Sequence, residues 1–71
     1  MNRAETVAYV QAQSACALAE IEAMKAENSY RASCGNNIAY GEDAFLAVIE
    51  KYGIHHNAVM KLFQDAAYYG G

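Results

Sequence analysis

A chain of 71 residues with formal charge −3 and a sequence pI of about 5.1 reads as one small domain. It has no basic run, so the charge balance argues against a nucleic-acid partner. No stretch approaches the roughly 18 apolar residues of a membrane span, and Met1–Val10 lacks the charged start and apolar run of a secretory leader.

The first element is a long helix. Asn2-Arg-Ala-Glu5 places a capping side chain three residues before a carboxylate, a variant of the capping box. From about Arg3 to Arg31 there is no proline or glycine. At 100° per residue Val7, Val10, Ala17, Leu18, Ile21 and Met24 gather on one face, the expected core stripe. Ala8, Ala12, Ala15, Ala19 and Ala26 gather on another, with Cys16 and Ala23 beside them and Glu22 interrupting the row. Small side chains let a second helix backbone come close, and a polar residue in such a row fixes register. These six residues, Ala8, Ala12, Ala15, Ala19, Glu22 and Ala26, are the expected homo-oligomer interface.

Cys34-Gly35-Asn36-Asn37 is a stop and a turn, because Gly and Asn tolerate left-handed backbone angles. Ile38-Ala39-Tyr40 is an apolar link expected to be pinned to the core. Gly41-Glu42-Asp43 opens a second helix with acidic residues at its positive end. Phe45, Val48, Ile49 and Tyr52 fall at i, i+3, i+4 and i+7 and define its buried face. Gly53 suits the position just past the helix end, and Ile54-His55-His56-Asn57 is a tight connection. A third helix follows to about Ala67, burying Val59, Leu62, Phe63 and Ala66, and Tyr68–Gly71 is expected to fray. The predicted fold is all-α: one long N-terminal helix plus a short helical hairpin, residues 1–71 as a single domain, assembled as an oligomer.

Small domains commonly need a disulfide, a metal or a second subunit for stability. With Cys16 inside the first helix and Cys34 at its end, about 1.5 Å of rise per residue separates them by roughly 25 Å, far beyond disulfide reach. An intracellular, reduced protein is expected. No CxxC or Cys/His quartet supports zinc, so a second subunit is the remaining source. A charged fraction of 18% beside 55% apolar residues points the same way, to surfaces meant for contact.

The polar residues Glu20, Glu22, Lys25, Glu27, Asn28 and Arg31 cluster toward the end of the first helix. Glu27 and Arg31 form a favourable i,i+4 pair, and Asn28 lies in line with the Val10/Ile21 stripe. The cluster is either a register-fixing network or the lining of a pocket between subunits. Six tyrosines provide amphipathic core edges or rings for stacking on a ligand. The expected ligand site is the junction of the first two helices: Asn28, Tyr30, Arg31, Tyr40, Glu42 and Asp43, with Asn57 from the second turn. There Arg31 would meet an anion, a tyrosine would cover a ring, and an asparagine would hydrogen-bond its edge.

Catalysis has little footing. Cys34 with His55 or His56 lacks any fixed geometry, and adjacent Glu42 and Asp43 point apart rather than forming an acid/base pair. The two histidines suit a turn, where an imidazole can cap a helix, rather than a chelating i,i+4 pair. No catalytic residue, metal or cofactor is expected. Residues 45–63 also match a helix-turn-helix at Gly53, Ile54, Val59 and Leu62, with Asn57 and Gln64 able to read base edges. Ile49 stands where a small residue is usual, and Lys61 is opposed by Asp65. A plain helical hairpin gives the same pattern.

The run Ile21–Asn28, then Arg31, Ala39–Phe45 and Lys51–Asn57 resembles the small accessory proteins of tailed bacteriophages. That resemblance implies a non-enzymatic protein in the cytoplasm of a bacterial host. It would inhibit host defence by binding a host protein or by sequestering a small nucleotide signal. A DNA-binding regulator using residues 45–63 is the alternative.

Overall fold

The computed structural model of the chain describes residues 1–68. It is all-helical: a long N-terminal helix, α1 (Arg3–Ser33), followed by a helical hairpin of α2 (Glu42–Lys51) and α3 (His56–Tyr68). Among the described residues, none of the helices is long and apolar enough to cross a membrane.

Local chemistry sets the ends of these helices. The Glu5 amide donates to the Asn2 side chain at 2.8 Å, and the Asn2 amide donates to the Glu5 carboxylate at 3.1 Å, completing the capping box. The wholly buried Thr6 hydroxyl donates to the Asn2 carbonyl at 2.8 Å, so burial leaves it satisfied. Both α1 and α2 end in Schellman motifs. Gly35 donates to Ala32 and Asn36 to Arg31; Gly53 donates to Glu50 and Ile54 to Ile49. Gly35 and Gly53 have φ of +77° and +66°, the left-handed geometry those motifs require. The His55 ring accepts from the Ala58 amide at 3.3 Å and caps α3.

The second half of the chain folds back along α1. Asn28 meets Tyr40, Glu20 meets Lys51, Gln13 meets Tyr52, and Tyr9 lies beside Leu62 and Asp65. Position along α1 thus falls steadily as the chain advances through α2 and α3. Both arms of the hairpin take their helix-to-helix contacts from α1. The core is a strip along this seam. Ala17, Met24 and Val48 are buried, with Ile21, Ala44, Phe45, Tyr52 and Ile54 packed around them. Ala66 is buried on α3.

Several core assignments from periodicity shift. Val7 and Leu18 are exposed, Leu18 at 59%. The inward line is Thr6, Val10, Gln13, Ala17, Met24 and Asn28, spaced three, four or seven apart, and Leu18 sits one 100° step off Ala17. Tyr9, partly exposed, flanks α3. Ile38 is not pinned to the core but 58% exposed, because hydrogen bonds rather than apolar packing hold its loop. Phe45 and Ile49 of α2 and its C-cap Tyr52 are half-buried beside Val48, and Val59, Leu62 and Phe63 of α3 are half-buried as well. Tyr68 is the last residue of α3; the rest of the expected frayed tail, residues 69–71, lies outside the described residues.

The seam predicts a contrast measurable by urea unfolding. Met24→Ala should cost roughly 2 kcal/mol or more, because a buried side chain leaves a cavity. Leu46→Ala, at an exposed position on α2, should change stability by no more than about 0.5 kcal/mol.

Candidate functional site

An open groove of about 570 Å³ lies between α1 and α2. Its floor is Ala23, Met24, Ala44, Ala47 and Val48, and its polar rim is Glu20, Glu27, Lys51 and Tyr40. Alanines at facing positions create the space. A larger residue at 23, 44 or 47 would fill it.

The rim charges are held within the chain. Lys51 Nζ reaches both Glu20 carboxylate oxygens, at 3.1 and 3.2 Å, and stands 5.3 Å from the Tyr52 ring centroid. The hydrogen bond from Lys51, then one from the Tyr52 hydroxyl, holds the Glu20 carboxyl below its ordinary pKa. The same contact with Glu20 raises the pKa of Lys51, and the hydrogen bond to Glu20 raises that of Tyr52. Arg31 Nε donates to Glu27 at 2.9 Å, the i,i+4 pair read from the sequence. Lys25 pairs with Glu22 at 3.1 Å on the solvent side of α1.

Asn28 has a role that the sequence left open between network and pocket. Its side-chain oxygen accepts from the Ala39 and Tyr40 amides at 3.0 and 2.9 Å, and its side-chain nitrogen donates to the Tyr40 carbonyl at 2.7 Å. Both ends of the amide are engaged by the loop's own backbone, which sets where Tyr40 stands. Gln13 does a similar thing at the other connection, donating to the Tyr52 carbonyl at 3.2 Å.

The remaining expected site residues are distributed as follows. Tyr40 lines the groove. Arg31 adjoins it through Glu27, and Glu42 and Asp43 occupy the exposed first turn of α2. Tyr30 is 65% exposed and, two residues after Asn28 on a helix, points some 160° away from it. Asn57 is exposed in the first turn of α3. That is the Gln13 end of the seam, roughly 22 Å along α1 from the Asn28 end. Tyr30 and Asn57 are therefore not brought together with Tyr40. Lys51, its pairing with Glu20 of the polar cluster, and the alanine floor were missed. The signal for them was a long-range pairing that no local spacing carries. Cys16 and Cys34 are both free and exposed, and the His55 ring is occupied as a cap. Among the described residues no group of three or more Cys, His, Asp or Glu is placed to hold a metal.

Asn28→Ala should lower unfolding free energy by about 1–2 kcal/mol through loss of the loop's hydrogen bonds. Asn28→Asp should recover only part, since it keeps the acceptor but sets a carboxylate against the Tyr40 carbonyl. The Glu20–Lys51–Tyr52 cluster has a pH signature. A depressed Glu20 pKa means its contribution is present above its ordinary value of 4.5 and is lost as pH falls through the lower folded value. The raised values of Lys51 and Tyr52 mean theirs is present below about pH 10 and lost above it. Thermal melts of Glu20→Gln should therefore differ from those of the parent chain at neutral pH and converge with them in strong acid. No family model, curated protein or solved structure matches the chain.

Proposed function

We propose that this is a non-enzymatic binding protein, acting as a homo-oligomer, that holds a small ligand in the α1–α2 groove. The ligand class is a small nucleotide signal, and the setting is a bacteriophage inhibitor of host defence in the bacterial cytoplasm. The groove carries the reading: its size is in the range of small-molecule sites, with an apolar floor and a few polar rim groups. Tyr40 would stack on a ring, and Arg31 would swing from Glu27 to an anionic group. The phage setting comes from the sequence resemblance alone. A host protein is the other partner class, and it would be met by the same exposed surfaces. For the DNA-reading alternative, α2 and α3 would need to brace each other, whereas each here leans on α1.

Native mass spectrometry of the protein purified from infected, defence-competent cells should show a retained mass of nucleotide size. Tyr40→Ala should weaken its retention about tenfold, the loss of one stacked ring, and Ala47→Phe should abolish it by filling the floor. Both variants should keep the parent's helicity by circular dichroism. A ligand retained equally by both variants would overturn the groove as the site. Retention of a protein instead would make the molecule a protein inhibitor.

A further inference from the structure

The face of α1 opposite the seam is the largest feature with no role inside the chain. On the helical wheel it carries Ala8, Ala15, Ala19 and Ala26, flanked by Ala12 and Leu18, and every one of these is exposed. No residue from Thr6 to Ala19 is charged at neutral pH, on any side of the helix. Four solvent-exposed turns without a charge are unusual for a helix that water alone covers.

The surface area says how much covering is needed. The chain exposes 5095 Å², whereas a compact protein of 7.7 kDa exposes about 4,300 Å². The surplus, about 750 Å², is close to the roughly 800 Å² that each partner contributes to a standard interface. The radius of gyration, 16.0 Å against about 11 Å for a compact chain of this length, ties the surplus to the elongated shape that α1 imposes on the chain rather than to surface roughness.

We infer that a second copy of this chain covers the outward face, its α1 lying antiparallel to the first about a two-fold axis near Ala15. The inference rests on the homo-oligomer element of the function proposed above and adds its geometry. Alanines at the crossing permit an interaxial distance near the short end of the usual 8–10 Å. Glu22 decides the direction. In a parallel pair the two Glu22 carboxylates would face each other, a like-charge contact. In the antiparallel pair Glu22 lies opposite Ala8, each seven residues from Ala15. The Lys25 side chain, already bonded to Glu22, stays on the solvent side. The grooves stay uncovered, since they open on the seam.

The two cysteines test direction in the intact chain. Cys16 adjoins Ala15 at the proposed axis, whereas the two copies of Cys34 would lie roughly 57 Å apart. At micromolar concentration, light scattering should give twice the 7.7 kDa chain mass. A short bismaleimide should link two chains in Cys34→Ser, through Cys16, and should not link them in Cys16→Ser. Linkage through Cys34 would establish a parallel pair and overturn the geometry while leaving assembly standing. A 7.7 kDa species throughout would overturn assembly itself, without touching ligand retention by the groove. Ala15→Leu with Ala19→Leu should weaken association at least about tenfold by overpacking. Both positions are exposed and leucine is a good helix former, so helicity should be kept. Unchanged association in that double variant would overturn the face.

Discussion

The fold depends on one side-chain amide. Asn28 replaces the hydrogen-bond partners that the backbone of residues 39 and 40 would otherwise seek in water. By doing so it fixes where the chain leaves α1 and begins its return. The loop has almost no apolar anchorage of its own, with Ile38 facing solvent. This anchor joins the Ala17/Met24/Val48 core in setting the register at which α2 meets α1. The Lys51–Glu20 pair and the Gln13–Tyr52 bond then occur at the positions that register dictates.

The groove follows from that register. Ala23 on α1 and Ala44 and Ala47 on α2 come together along one side of the seam. Three short side chains leave room there, while Met24 and Val48 close the base. The rim is neutralised from within: each carboxylate that borders the opening, Glu20 and Glu27, already has a basic partner. A ligand therefore meets little net field on entry, and discrimination falls to shape, to the Tyr40 ring and to whatever Arg31 can contribute by changing partners. Exposed ion pairs exchange at small free-energy cost, which makes such a change of partner feasible.

Helix boundaries were legible because their signals are local. The Asn2/Glu5 box, Gly35 and Gly53 each act within a few residues. The buried face of α2 was legible because its three turns carry a clear apolar period. α1 was harder. Its alanines make almost every face mildly apolar, so periodicity alone placed Val7 and Leu18 inward. The true inward line includes Gln13 and Asn28, polar residues whose partners are backbone groups 39 and 12 residues away. Spacing does not reveal such partners. The same limit applies to the site. The Glu27–Arg31 pair was visible because it is local, and Glu20–Lys51 was not, because only the folded chain brings it together.

The order of contacts along the seam has a kinetic meaning. Sequence separation grows from 12 at Asn28–Tyr40 to 31 at Glu20–Lys51 and 39 at Gln13–Tyr52. Each closure shortens the loop that the next must close, and the entropic cost of a loop rises with its length. The chain is thus wired as a zipper that starts at the α1–α2 turn and runs toward the N-terminus. Because α2 and α3 lean on α1 separately, the far end can open while the near end stays shut. The last teeth to engage are the first to release, so partial unfolding would bare the Thr6–Gln13 stretch of α1 and leave the groove intact.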